Sequence, residues 1–93
     1  MLIQHKKVDG KGMFYVGQEG AILAELVYTM PSDDKMIIEH TEVDKSLEGK
    51  GVGKQLVETA VEYARNHSLK IIPLCSFAKG LFDRVSSFSD VRA

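Results

Sequence analysis

The rhythm of apolar and polar positions changes partway along this chain. In the first half, apolar residues come in short runs broken by turn residues. "MFYVGQ" (Met13–Gln18) is rich in the aromatic and β-branched residues that favour strands. "AILAELVYTM" (Ala21–Met30) partly alternates, and can pair back on that strand across a tight turn at Glu19-Gly20. "KMIIEHTEV" (Lys35–Val43) reads as a third strand, set off by the turn residues "PSDD" (Pro31–Asp34). "KVDGKG" (Lys7–Gly12), ahead of them, reads as turn material. Three strands joined by short turns predict an antiparallel meander.

From Val52 the spacing becomes helical. Val52, Leu56, Val57, Ala60, Val61 and Ala64 recur every three to four positions and form one apolar stripe. Gln55, Glu58, Thr59, Glu62 and Arg65 fall on the polar side, and the helix should fray near Asn66-His67-Ser68. "LKIIPLC" (Leu69–Cys75) follows as a short buried strand. Pro73 leaves a gap in its hydrogen-bond ladder, so this strand should lie at an edge or splay away there. "FAKGLFDRV" (Phe77–Val85) suits a short last helix weakened by Gly80. The tail "SSFSDVRA" reads as loose. The order is β-β-β-α-β-α, an α+β chain with a mixed sheet. The strands ending at Val43 and Cys75 should run parallel and adjacent through a right-handed crossover.

Composition narrows the class. The 93 residues suit one domain with a modest core. Twelve basic and thirteen acidic residues give a net charge of -1, which argues against a general nucleic-acid binder. The single cysteine, Cys75, excludes an intramolecular disulfide, argues against a cysteine-based zinc site, and suits a reducing compartment. No metal site is expected. No apolar run approaches the ~18 residues that would span a bilayer, and "MLIQHKKVDGKGMF" lacks the apolar core of a signal peptide. The expected location is cytoplasmic, without membrane association.

The candidate chemistry sits where the rhythm changes, at "EGKGVGK" (Glu48–Lys54), between a strand and a helix. A metal-assisted nucleotide loop, G-x-x-x-x-G-K-[ST], needs glycine at position 48 and a hydroxyl at 55; the chain has Glu48 and Gln55. A dinucleotide fingerprint fits Gly49 and Gly51, but the third glycine, Gly53, comes one residue early. The loop still looks built to hold phosphate, since glycines admit backbone N–H groups close to an anion and a helix N-terminus adds its dipole.

With its neighbours, Glu48-Gly49-Lys50-Gly51-Val52-Gly53 resembles the acetyl-coenzyme A loop of the GNAT acetyltransferases, [Q/R]-x-x-G-x-[G/A]. Size, element order and a C-terminal "PLCS" (Pro73-Leu74-Cys75-Ser76) make it similar to the small single-domain members, over roughly residues 7–85. Glu48 departs from the family's Gln or Arg, and Lys50 and Lys54 can offset its charge. The chain also lacks the N-terminal helices that cover the acceptor site of larger members, so the substrate cleft should be short or open and the acceptor is unidentified.

The resemblance implies a minimal GNAT fold with splayed parallel strands and acetyl-CoA as co-substrate. It implies an amine acceptor, with the pantetheine arm held by main-chain groups around Thr41, Glu42 and Val43. The phosphates fall to Gly49, Lys50, Gly51, Val52, Gly53 and Lys54, and Ser76 and Phe77 open the last helix beside the cofactor. The tyrosine acid that many members carry in that helix is missing from "SFAKGLFDR". Cys75 is the candidate to fill that role or to act as an acetylated nucleophile. His40 is the candidate base, since histidine changes charge near neutral pH. The two are expected to face each other across the cleft. Against these roles stand a small buried cysteine, a partly exposed strand histidine, and Glu39 or Glu42 acting as base through water. His5 and His67 read as surface residues, and Tyr15 and Tyr28 as sheet packing. The alternative function is an acyl-CoA-binding or sensing module without turnover. The expected state is a monomer or weak homodimer.

Overall fold

A computed structural model describes all residues, Met1–Ala93. Five strands form one sheet in sequence order: β1 (Gln4–Val8), β2 (Lys11–Gln18), β3 (Ala21–Ser32), β4 (Lys35–Val43) and β5 (Lys70–Pro73). The first four are antiparallel neighbours, and β5 joins β4 in parallel after helix α1 (Val52–Asn66). Helix α2 (Ser76–Arg84) follows β5. The α+β fold with its mixed sheet stands as expected, with one strand added. That strand, β1, escapes a hydrophobic-pattern reading because all five of its residues are exposed. The Asp9-Gly10 turn that closes it, with both residues at positive φ, is a strong hairpin signal in itself.

Both helices share one face of the sheet. Phe14, Val16, Ala24, Leu26, Tyr28, Met36, Ile38 and Ile71 supply the sheet side of the core. The predicted stripe of α1, from Val52 to Ala64, is buried against them, as are Ala78, Leu81 and Phe82 of α2. The tail is not loose. Residues Ser86–Val91 form a 3-10 segment that buries Phe88 and Val91, and the Ala93 N–H donates to the Ile71 carbonyl. Two apolar side chains spaced for a short helical turn outweigh the serines around them. No helix is long and apolar enough to cross a membrane.

One irregularity decides where the chemistry can lie. Val27 pairs with His40, but Tyr28 pairs with Ile38, so β4 carries one extra residue at Glu39. A bulge of this kind reverses the alternation beyond it. Met36 and Ile38 point into the core; past Glu39 it is Thr41 and Val43 that share the helix side, while His40 and Glu42 turn to the uncovered face.

His5 closes the core at the β1 edge. Its ring stacks on Phe14 with centroids 4.3 Å apart, meets Tyr63 edge-on, and lies 2.6 Å from the Tyr28 hydroxyl. Burial, and then Tyr63, push the Tyr28 hydroxyl up to about 12, so it stays protonated. Burial, then Lys7 and His67, lower the pKa of His5. The fold therefore favours neutral His5, and the unfolded chain takes up the proton more readily. This stabilisation is complete above the ordinary value of 6.5 and is lost as pH falls through it towards the lowered folded value. Thermal unfolding should show a fall in Tm between pH 7.5 and 5 that is smaller in His5→Phe. An identical pH dependence in the two proteins would dismiss the linkage.

Candidate active site

The site begins at an edge left without a partner strand. The β4–β5 ladder ends at Ile38–Pro73, after which the Leu74 and Cys75 N–H groups both donate to the Ile38 carbonyl. Proline cannot extend the ladder, so the chain turns away into α2. From Glu39 to Val43 one edge of β4 faces no strand. This is the predicted splay, and it leaves main-chain groups beside Thr41, Glu42 and Val43 available to an extended ligand.

Beyond Val43 the chain makes a 3-10 turn at Lys45–Leu47, capped by the Asp44 carboxylate on the Ser46 N–H, and enters the glycine loop. Gly49 and Gly51 both hold positive φ, 78° and 72°, and Gly51 is the residue that starts α1. No side chain caps that start. The first N–H groups of a helix have no partner within it, so those of Val52, Gly53 and Lys54 are presented to whatever occupies the cleft. An oxyanion fits this N-terminus of a 15-residue helix both by hydrogen bonding and by dipole.

The cleft holds about 530 Å³. Of the residues expected there, Thr41, Val43, Gly49, Gly51, Val52, Gly53, Lys54 and Phe77 line it, and so does Glu48. Lys50 and Ser76 lie outside the lining, and the Glu42 side chain faces away from it. Phe77 is 44% exposed, and its ring lies close enough to Gly53 that a β-carbon there would come within 2.8 Å of it. Leu47, Leu81 and Arg84 complete the wall and were not foreseen. For α2 the signal was present: Phe77, Leu81 and Arg84 follow at i, i+4 and i+7, one face of a helix.

The structure does not bring His40 and Cys75 together. Cys75 caps α2, its sulfur accepting the Ala78 N–H at 3.4 Å, and its side-chain neighbour across the splay is Thr41, with Oγ1 and Sγ 3.5 Å apart. His40 lies on the opposite face, its Nε2 3.0 Å from Glu25 Oε2. The bulge at Glu39 is the cause. A carboxylate only accepts, so in this pair Nε2 donates, and in the neutral imidazole Nδ1 then holds the free lone pair. Glu25 and Glu42 stand directly opposite each other on β3 and β4, and a ligand atom from each lies within 4.8 Å of one on His40. That spacing can accommodate a divalent cation, but all three groups reach solvent and nothing in the cleft depends on one. The open face also carries a hollow of about 640 Å³ bounded by Lys6, Lys7, Lys11, Met13, Val27 and His40.

Comparison with known proteins adds a family model and three solved structures. A family model described as GCN5-related N-acetyl-transferase matches residues 13–91. A GCN5-like protein from Staphylococcus aureus, solved in solution, is 41% identical, with 97% of this chain and 87% of that one covered and a TM-score of 0.76. An IAA acetyltransferase from Bacillus cereus is 24% identical, covering 81% of this chain and 53% of its own, at a TM-score of 0.59. A GNAT family acetyltransferase from Elizabethkingia anophelis, solved with acetyl-CoA bound, is 16% identical, with 81% and 52% covered and a TM-score of 0.59. The chain thus spans about half the length of the last two, which share its fold. No curated protein matches.

Proposed function

The chain belongs to the GCN5-related N-acetyltransferase family, and we propose that it binds acetyl-CoA in the cleft and moves the acetyl group to an amine. The observation that carries this reading is the junction of two features in one cleft. An uncapped helix start in a glycine loop suits the pyrophosphate, and the unpartnered edge of β4 beside Thr41–Val43 suits the pantetheine arm.

The division of faces favours direct transfer over a cysteine nucleophile. A thioester lying along the free edge of β4 is open to both faces of the sheet. On the uncovered face, the amine approaches His40, whose Nδ1 takes its proton while Glu25 holds the ring. The new C–N bond forms as the C–S bond breaks. On the helix face, Cys75 supplies a proton to the departing thiolate. Activation of Cys75 by His40 has no contact to support it. The lysines of the open-face hollow repel an ammonium, so the amine approaches from the side of Glu25 and Glu42. A second reading, an acyl-CoA-binding module without turnover, draws on the tyrosines. Tyr28 is in the core, Tyr15 on the sheet and Tyr63 on α1, leaving none on α2.

Amide NMR shifts on titration with CoA should concentrate at Gly49–Lys54 and Thr41–Val43; their absence would remove both readings. Incubation with acetyl-CoA and a panel of amines, followed by free thiol and intact mass, then separates them. Catalytic release of thiol with acetylated amine supports the enzyme, and binding without release supports the module.

A further inference from the structure

On the reading that the cleft takes acetyl-CoA, we propose that Arg84 recognises the 3′-phosphate of the coenzyme from a seat that Gly80 leaves open. The chain has three arginines. Arg65 is engaged by Asp90 at 2.9 Å, by Glu62 at 2.6 Å and by the Ser87 carbonyl. Arg92 is engaged by Asp83 at 2.9 Å. Arg84 has no ion pair and no hydrogen bond, is exposed, and lines the cleft.

Gly80 explains where its guanidinium goes. Glycine inside a helix is the costly choice, and the nine-residue α2 carries one at its centre. A β-carbon at Gly80 would come within 3.2 Å of Arg84 Nη1. The arginine therefore folds back one turn along α2, over the bare backbone at i-4 and along the wall that holds Leu81 and Phe77. A basic residue in the last turn of a helix is also explained by the helix dipole. That account does not fit here, because a guanidinium lying over Gly80 has left the terminal carbonyls.

The cleft assigns its two cations to different phosphates. Lys54 sits in the first turn of α1 beside the loop amides, where the pyrophosphate would be held. Arg84 stands on the other wall, seven residues along α2 from Phe77, roughly 10 Å by helical rise, with its head swept back towards the loop. A group one ribose away from the pyrophosphate falls within that reach. The planar fork of arginine matches a terminal phosphate with two parallel hydrogen bonds, and with Glu48 on the rim a second cation beside Lys54 favours so anionic a ligand.

The test is calorimetric titration of the wild type, Arg84→Gln and Gly80→Ala with CoA and with 3′-dephospho-CoA at one fixed salt concentration. Wild type should bind CoA about tenfold more tightly than the dephospho form, the size of one charge-assisted contact. Arg84→Gln should bind both equally, at the wild type's dephospho affinity, and Gly80→Ala should lose part of the discrimination. Wild-type binding without discrimination overturns the assignment alone. Equal weakening of both ligands by Arg84→Gln places the arginine on the pyrophosphate and also overturns it. Failure of the wild type to bind either ligand overturns the acetyl-CoA reading, and the assignment with it.

Discussion

Gly53→Ala should cost on the order of tenfold in CoA affinity while leaving the fold intact, although the loop pattern admits alanine at this position, because in this chain Phe77 crowds it. The two effects separate because the obstacle lies in the cleft, not in the core. A β-carbon at position 53 would lie 2.8 Å from Phe77 Cζ and 3.0 Å from Cε2. Those atoms are the far end of a side chain that is 44% exposed, so the ring can swing aside. Alanine is also the better helix former, by up to about 1 kcal/mol, which offsets the remaining crowding. Function does not escape so easily. The ring swings over the first turn of α1, where the N–H groups of Val52 and Gly53 must meet the phosphates. Melting should shift Tm by only a few degrees, while calorimetry with CoA shows the loss. Unchanged affinity would mean that the phosphates do not approach the chain at Gly53. Adding Phe77→Ala to Gly53→Ala divides the causes: recovery identifies the displaced ring as the obstacle, and no recovery identifies the methyl.

The parts of this architecture that were legible in the sequence are those set by periodicity. The α1 stripe from Val52 to Ala64 and the strand Lys35–Val43 appear where the pattern puts them, because burial on one side enforces the period. The glycine loop was legible for a different reason: few functions require Gly49, Gly51 and Gly53 between a strand and a helix. What a period cannot carry is a break in itself. Simple alternation places His40 on the same face as Met36 and Ile38, and from there it would meet Cys75. A single bulged residue, Glu39, hands that place to Thr41. Nothing in "IIEHTEV" marks the bulge, since its cause lies in the pairing with β3. β1 was missed because an edge strand with Lys6 and Lys7 exposed does not display a buried face, a composition that also discourages edge-to-edge association. Arg84 was missed because its significance depends on which arginines are already paired, and ion pairs between Arg65 and Asp90 or Arg92 and Asp83 are tertiary facts.

Those placements change what is expected of Cys75. Cys75→Ala confounds two losses, because the sulfur both lies beside the splay and accepts the Ala78 N–H at the start of α2. Cys75→Ser separates them, since serine is a preferred residue at a helix start and keeps an acceptor there. The serine variant should melt at or above the wild-type Tm and bind CoA within about twofold. Acetyl transfer should nevertheless fall roughly 100-fold, the scale of a lost general acid, because a hydroxyl is a much weaker acid than a thiol. The rival role is decided by the same pair of proteins. If Cys75 were a nucleophile, wild type quenched during turnover would carry one acetyl group on the protein. Direct transfer predicts none, whatever the amine. His40 supplies an independent check, because no contact joins it to the sulfur. His40→Gln should slow transfer to the amine yet leave the alkylation rate of Cys75 unchanged. Slower alkylation in His40→Gln would show that the imidazole reaches the thiol after all, and full activity in Cys75→Ser would remove the cysteine from the reaction in either role.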